Sequence, residues 1–96
     1  MANLLEKQIE RSVCDYAKSI GFLVYKFTSP ERAAVPDRMF ITPKGKVFFI
    51  EFKREGAKVT PAQAREHERL RAQGVTVFVV DSVDAGRLVV NLMRDQ

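Results

Sequence analysis

The first third of the chain changes from a helical to a strand pattern of hydrophobic residues. Apolar side chains recur every three or four residues up to Ile20, and Asn3 with Glu6 has the spacing of a capping box. These features predict an amphipathic helix over residues 3–20. The run of β-forming residues 22–27 predicts a strand that enters the core.

The middle of the chain has the pattern of a β-hairpin. Residues 28–35 are mixed and polar without periodicity, which predicts a loop. Residues 37–42 and 46–53 each contain a central apolar run, Met39-Phe40-Ile41 and Val47-Phe48-Phe49-Ile50, and they flank the short glycine-containing connection Pro43-Lys44-Gly45. We therefore predict two antiparallel strands joined by a tight turn.

The last third predicts a helix, a strand and a second helix. Thr60 followed by Pro61 is a helix start, and this helix is expected to run to Gln73. The continuous apolar run 75–80 predicts a strand covered on both faces. Asp81 or Ser82 can cap the final helix. The predicted apolar stripe of that helix consists of Val83, Leu88, Val89, Leu92 and Met93.

The predicted order of elements is α-β-β-β-α-β-α. A helix between the third and fourth strands permits a parallel crossover, whereas the hairpin is antiparallel. We therefore predict an α/β fold with a mixed central sheet of about four strands flanked by helices. A chain of 96 residues is enough for one hydrophobic core but not for two, so residues 1–96 are expected to form a single domain.

Composition narrows the chemistry that the chain can perform. Sixteen Lys and Arg against twelve Asp and Glu leave a net charge of +4, which favours a polyanionic partner. Cys14 and His67 are each alone, so a disulfide framework and a zinc cluster are excluded. Catalysis would have to use carboxylates, lysine or hydroxyls. No leader or membrane-spanning segment is recognisable, and we expect a cytoplasmic protein.

The predicted hairpin brings two acidic side chains together. If Thr42 pairs with Lys46 across the turn, Asp37 falls opposite Glu51, with Cβ atoms about 4.5–5.5 Å apart. Lys53 lies on the same face, because side chains alternate along a strand. Two carboxylates suit a hard cation such as magnesium, which also takes water and phosphate oxygens. A carboxylate separation above about 8 Å would exclude a shared ion.

The alternative interpretation of this segment involves no chemistry. Glu51 and Lys53 could form an exposed ion pair on one face of the strand, and Asp37 could simply begin a strand. However, Glu51 directly follows the apolar run Val47-Phe48-Phe49-Ile50, so its charge lies at the end of a buried strand. This context favours a functional site.

Pro36-Asp37, Glu51-Phe52-Lys53 and Gln63 occur in an order and spacing that resemble the VRR-NUC nucleases of the PD-(D/E)XK, or restriction-endonuclease-like, superfamily. The resemblance spans roughly residues 4–83. One departure is Ala34, where the family often has a glycine. The resemblance implies a restriction-endonuclease-like fold and hydrolysis of DNA phosphodiester bonds with Mg²⁺ or Mn²⁺.

The resemblance also implies roles for the matching strand residues. Asp37 and Glu51 would bind the metal, and Lys53 would be the catalytic lysine. The carbonyl group of Phe52 would be a further metal ligand.

Helix residues would complete the site that the resemblance implies. Gln63 would lie near the active site, although it can equally close a capping box at the start of its helix. A glutamate of the first helix faces the metal in this family. Glu6 fits the family's E-x-x-I context best, and Glu10, one helical turn later, is the alternative. His67 follows Gln63 by one turn, but we expect a surface or half-buried histidine.

The expected substrate is branched DNA. A nuclease of this size has little surface for reading bases, so recognition of DNA shape and backbone is more plausible than sequence-specific restriction. The resemblance extends to Holliday-junction resolvases and implies a homodimer, with two sites for two strands, acting in DNA repair in a bacterial or phage-infected cell. The basic residues expected to contact phosphates are Arg32, Arg38, Arg54 and Lys58.

Two other functions are compatible with the sequence. One is an unspecialised nicking or flap endonuclease. The other is a catalytically silent DNA-binding module that keeps the fold. The presence of Asp37, Glu51 and Lys53 together counts against the silent module, because DNA binding alone does not require all three.

Overall fold

The computed structural model describes residues 4–96 and contains three helices and four strands. In chain order they are α1 (Glu6–Ser19), β1 (Leu23–Lys26), β2 (Arg38–Ile41), β3 (Val47–Phe52), α2 (Pro61–Ala72), β4 (Val77–Val80) and α3 (Val83–Met93). The predicted order of elements is confirmed. None of the helices in this part of the chain has both the length and the apolar character needed to cross a lipid bilayer.

The four strands form one mixed sheet in the order β1-β2-β3-β4. β1 pairs antiparallel with β2, and β2 pairs antiparallel with β3. β4 pairs parallel with β3. This pairing is possible because α2, which lies between the two strands in the chain, returns the chain to the end of the sheet where β3 begins. The structure therefore confirms the predicted mixed α/β sheet with flanking helices.

The β2–β3 hairpin has the predicted register. The backbone N–H of Thr42 donates to the carbonyl oxygen of Lys46 at 2.9 Å, and the residue pairs beyond the turn follow from that contact. If the pairing is continued one residue past the last pair of β2, Asp37 lies opposite Glu51. The hairpin thus carries these two side chains to the end that is remote from the turn.

One face of the sheet packs against α1 and α3 and forms the hydrophobic core. Phe48, Ile50 and Phe52 of β3 are fully buried there, together with apolar residues of both helices. Because side chains alternate along a strand, Phe49 and Glu51 point to the opposite face. The hydrophobic core therefore fixes which face of β3 carries the acidic side chain.

Side-chain caps fix where α2 and α3 begin. The Thr60 hydroxyl accepts from the backbone N–H of Gln63 at 3.1 Å, and the Gln63 carbonyl oxygen Oε1 accepts from the N–H of Thr60 at 3.0 Å. This is the predicted capping box, and it satisfies two backbone donors at the start of α2. Of the two candidates for the last helix, Ser82 is the cap, since its hydroxyl accepts from the N–H of Ala85 at 3.0 Å.

The start of α1 differs from the prediction. The helix begins at Glu6 instead of residue 3, and Leu5 is extended, with φ of −69° and ψ of 152°. The N–H of Leu5 donates to Gln8 Oε1 at 2.8 Å, which satisfies a backbone group at the helix start. Asn3, the predicted cap, lies outside the described residues.

Two predictions about apolar surfaces, one for α3 and one for β4, are wrong in detail. Leu88 and Leu92 of α3 are each 61% exposed, because α3 turns the face of Gly86 and Val90 towards the core. Val79 of β4 is 44% exposed, so coverage of this strand on both faces is incomplete. β4 lies at the edge of the sheet, which an apolar run in the sequence does not reveal.

Candidate active site

Three carboxylates meet where the β2–β3 hairpin ends. One oxygen from each of Glu6, Asp37 and Glu51 lies within 4.8 Å of the other two. Glu6 is the first residue of α1, Asp37 immediately precedes β2, and Glu51 lies in β3. We call this group the carboxylate cluster. Its separation is well inside the limit of about 8 Å for sharing one ion.

Glu51 is the most buried member of the carboxylate cluster. Its exposed fraction is only 2%, so the alternative interpretation of an exposed ion pair with Lys53 is wrong. Burial raises the pKa of the Glu51 carboxyl well above its usual range, and the Asp37 carboxylate raises it further. The positive charge of Lys53 lowers this pKa, but less strongly. An ionised Glu51 therefore needs a cation nearby.

Asp37 is held in place by the backbone of the neighbouring strand. Its Oδ2 atom accepts from the backbone N–H of Phe52 at 2.8 Å. Because the ring of Phe52 is fixed in the hydrophobic core, this bond ties Asp37 to a rigid element. The proposed role of the Phe52 carbonyl group as a metal ligand stays a prediction.

The α2 helix supplies two side chains beside Glu51. Gln63 Nε2 donates to Glu51 Oε2 at 3.4 Å, while the Oε1 atom of Gln63 closes the helix cap. The capping role and the position near the site are thus compatible. His67, one turn later, is 1% exposed, and its Nε2 atom lies 3.6 Å from Glu51 Oε1. The expectation of a surface or half-buried histidine is wrong, although its spacing from Gln63 was a usable signal.

Glu10 has a different partner from the carboxylate cluster. Its Oε2 atom accepts from Arg38 Nε at 2.6 Å, and both side chains are partly buried. This hydrogen bond raises the pKa of the Arg38 guanidinium. Of the two glutamates predicted as alternatives on α1, the structure brings Glu6 to the cluster and pairs Glu10 with Arg38.

Lys53 lies one residue beyond β3, at the end of that strand where the carboxylate cluster lies. Its backbone N–H donates to the carbonyl oxygen of Val80 at 2.9 Å, which extends the parallel pairing and fixes the backbone. Its side chain is half-buried. Within residues 4–96 the ammonium group makes no ion pair, so it is available to a ligand.

The predicted phosphate-contacting residues fall into two groups. Arg32 and Arg38 are paired with glutamates, since Arg32 Nη1 lies 3.4 Å from a carboxylate oxygen of Glu66. Arg54 and Lys58 are exposed in the loop after β3, and they form no ion pair with the residues that the structure describes. Beside Asp37 lies an open cleft of about 300 Å³, whose lining includes Lys26, Ser29 and Arg32.

A domain family and a curated phage protein match this chain in sequence. The model of the VRR-NUC domain matches residues 5–84. A curated protein named "Putative nuclease p44", from Acyrthosiphon pisum secondary endosymbiont phage 1, is 44% identical over 89 residues. That alignment covers 93% of this chain and 96% of the phage protein.

Two solved structures share the architecture. One, described as a VRR-NUC domain, has a TM-score of 0.84 and 34% identity, with 92% of this chain and 96% of that chain covered. The other, described as a VRR-NUC domain protein, has a TM-score of 0.76 and covers 97% of this chain and 88% of that chain. At 20% identity the second structure supports the fold alone.

The family match includes the whole site described above. The matched residues 5–84 contain the carboxylate cluster, Lys53, Gln63 and His67. The identity with the phage protein extends over nearly all of both chains. This chain therefore belongs to the VRR-NUC family of nucleases.

Proposed function

We propose that this nuclease is a metal-dependent endonuclease that hydrolyses phosphodiester bonds in DNA, with a preference for branched structures such as Holliday junctions. One domain, residues 1–96, would hold the complete site. The observation that carries the proposal is the convergence of Glu6, Asp37 and Glu51 within 4.8 Å. Lys53 follows two residues after Glu51, at the same end of β3.

The carboxylate cluster fits a hard divalent cation, Mg²⁺ or Mn²⁺, because such ions prefer oxygen ligands. Glu51 Oε1 is buried and has no hydrogen-bond partner among residues 4–96. A cation held by Glu6, Asp37 and Glu51 would satisfy this oxygen and offset the repulsion between carboxylates. The Phe52 carbonyl group would be a further ligand. When bound, the ion would neutralise phosphate charge and activate water.

The remaining residues have roles that follow from their positions. The Lys53 ammonium group stabilises the negative charge that develops on the phosphate during attack by water. Gln63 holds the Glu51 carboxylate through Oε2. Because Glu10 is bonded to Arg38, Glu6 is the ligand that we propose from α1. The residues that we propose as contacts to the DNA backbone are Arg32, Arg38, Arg54 and Lys58.

The preference for branched DNA and the homodimer form one proposal. Junction resolution needs two cuts on two strands, and a two-fold dimer supplies two equivalent sites. Leu88 and Leu92, which are exposed one turn apart on α3, provide apolar surface for such an assembly. We also propose that the protein acts in repair of branched DNA, in the cytoplasm of a bacterial or phage-infected cell. The phage origin of one relative supports that cellular setting.

Cleavage of labelled DNA tests the proposal. Four-way junction, flap, nicked duplex and linear duplex are incubated with Mg²⁺, Mn²⁺ or chelator. We expect cutting that requires metal and is fastest on the four-way junction. Lys53→Ala and Asp37→Asn should each lower the rate by at least about 100-fold. Lys53→Ala removes the ammonium group that stabilises negative charge on the phosphate, and Asp37→Asn weakens binding of the metal ion.

Lys44→Ala is the matched control, because Lys44 lies in the hairpin turn at the opposite end from the site, where its Nζ atom donates to the Asp95 carbonyl oxygen at 3.3 Å. Equal rates on all four substrates would support the unspecialised nicking or flap nuclease instead. DNA binding without cutting under every metal would support the silent module.

Sedimentation velocity measured with the same protein should give the mass of a dimer, and a monomer would contradict the proposed homodimer.

A further inference from the structure

The α2 helix presents two nitrogen atoms to the Glu51 carboxylate. Gln63 Nε2 lies 3.4 Å from Oε2, and His67 Nε2 lies 3.6 Å from Oε1. The two residues are four apart, so they lie on one face of the helix. Each oxygen of Glu51 therefore has its own neighbour on α2.

The burial of His67 is costly unless its Nε2 atom acquires a partner. His67 is 1% exposed and Glu51 is 2% exposed, and within residues 4–96 neither His67 Nε2 nor Glu51 Oε1 has a hydrogen-bond partner. Leaving a buried polar atom unpaired costs about 1–3 kcal/mol, whereas an apolar side chain would fill the same space without this penalty. Packing alone therefore does not explain a histidine at this position.

The observed separation is just longer than a hydrogen bond. The Gln63 contact of 3.4 Å is already longer than the usual N–H···O range of about 2.7–3.2 Å, and the His67 contact of 3.6 Å is slightly longer still. A small rotation of either side chain would bring His67 and Glu51 within that range. Hydrogen bonds in active sites are often long before the ligands bind. An ionised Glu51 would attract the N–H group more strongly than a neutral acid does.

We propose that His67 is a positioning residue, whose Nε2–H group donates to Glu51 Oε1 and, together with Gln63, holds the carboxylate towards Asp37 and Glu6. This inference rests on the proposed metal-dependent function, in which Glu51 is a ligand. Hydrogen bonds that orient a ligand raise metal affinity, because the ligand loses less freedom on binding. Burial and the nearby Arg71 lower the pKa of His67, which agrees with a neutral imidazole carrying a single N–H.

The chain contains one histidine, so its ¹⁵N resonances can be assigned without ambiguity. In the presence of Mg²⁺ at pH 8, we expect the neutral tautomer with the proton on Nε2 and a bare Nδ1. The opposite tautomer would leave a lone pair facing Glu51 and would overturn the proposal. This readout does not depend on activity.

Two substitutions separate hydrogen bonding from packing. His67→Gln keeps an amide N–H near the position of Nε2, and His67→Phe fills the volume without a donor. Calorimetric titration of the metal-stripped protein with Mn²⁺ should give affinity for His67→Phe about 10–100-fold weaker than for the wild type, with His67→Gln much closer to it. On four-way junction DNA, kcat should follow the same order with little change in KM. Equal losses in both variants would overturn the donor role.

Asp37→Asn distinguishes failure of this inference from failure of the proposed function. If Asp37→Asn binds Mn²⁺ as the wild type does, the metal-dependent function fails. If Asp37→Asn loses Mn²⁺ while His67→Phe keeps wild-type affinity and kcat, the positioning role alone fails. Thermal unfolding in chelator identifies any variant that does not fold, and in that case the tautomer of the wild-type histidine decides.

Discussion

Glu51 combines burial with a negative neighbour, a combination that is unfavourable for an ionised acid. Its carboxyl group is 2% exposed and lies within 4.8 Å of those of Glu6 and Asp37. Lys53 compensates only in part, because the net effect on the Glu51 pKa is upward. A side chain with this environment favours its neutral form until a cation arrives. At the scale of single residues, the site is organised for ligand binding at a cost in stability.

The pH dependence of unfolding in chelator should reveal this cost. The folded-state pKa of Glu51 is raised to about 8, above the ordinary value of about 4.3 in the unfolded chain. The stability that the neutral Glu51 carboxyl group contributes is therefore complete at low pH, and it is lost as the pH rises through the folded-state pKa. Glu51→Gln stays neutral, so at pH 9 it should melt about 5–10 °C above the wild type, with a much smaller difference at pH 5.

Divalent metal should reverse the order of the melting temperatures of the wild type and Glu51→Gln at pH 9. Mg²⁺ stabilises the folded state that binds it, so the wild type should gain melting temperature at pH 9 while Glu51→Gln gains little. Glu55→Gln, in the exposed loop after β3, is the control for a surface charge. A difference between wild type and Glu51→Gln that does not change with pH would contradict the raised pKa.

At the scale of elements, the close approach of α1 and α3 depends on a single glycine. A Cβ atom built on Gly86 would lie 2.3 Å from Cγ2 of Val13, whose side chain is fully buried. The absence of a side chain at Gly86 lets the two helices meet and turns Leu88 and Leu92 outwards. This contact also positions α1, whose first residue is Glu6 of the carboxylate cluster.

Gly86→Ala should therefore destabilise the protein. Alanine favours a helix over glycine by about 1 kcal/mol, but overpacking a core costs about 1–3 kcal/mol and the overlap here is severe. We expect a net loss of roughly 1–2 kcal/mol in the free energy of unfolding, measured by urea denaturation.

A double substitution tests the cause of that loss. Val13→Ala removes both methyl groups that the new Cβ would meet, so Val13→Ala with Gly86→Ala should lose less stability than the sum of the single variants, by at least about 1 kcal/mol. Arg11→Ala, at an exposed position on α1 close to Val13, is the control and should change stability by less than about 0.5 kcal/mol. Additive losses would mean that the two positions do not clash.

At the scale of the whole molecule, the positive charge is divided between paired and unpaired side chains. The net charge is +4, but Arg32 and Arg38 are balanced by Glu66 and Glu10. Among the described residues, Arg54 and Lys58 have no such partner. Release of counterions from DNA depends on protein charge that is not already compensated. Of the four residues that we propose as phosphate contacts, Arg54 and Lys58 should therefore contribute more to non-specific attraction to DNA than Arg32 and Arg38 do.

The salt dependence of DNA binding measures how much each basic side chain contributes to neutralising phosphates. With duplex DNA in chelator, log Kd plotted against log salt should change in slope by about 0.9 for each phosphate that the protein no longer neutralises. We expect a change of about one unit for Arg54→Ala and for Lys58→Ala, and a smaller change for Arg38→Ala, which should instead lower thermal stability. Fluorescence anisotropy provides the affinities. An unchanged slope in both loop variants would exclude this loop from the DNA interface.

Much of the site was predictable because it lies in a hairpin. The connection Pro43-Lys44-Gly45 sets the register of the strands, so the placement of Asp37 opposite Glu51 follows from residues that are close in the chain. The capping box of α2 is equally local, since Thr60 and Gln63 are three residues apart. In both cases backbone hydrogen bonding between near neighbours leaves little choice of geometry.

Other features depended on packing between distant segments. The pattern of α1 did not distinguish Glu6 from Glu10, and the pattern of α2 did not indicate that His67 is buried against Glu51. Helical periodicity states which residues share a face, but the direction of that face is set by contacts such as the one between Gly86 and Val13. These contacts join residues far apart in the chain, so they appear only when the helices have docked on the sheet.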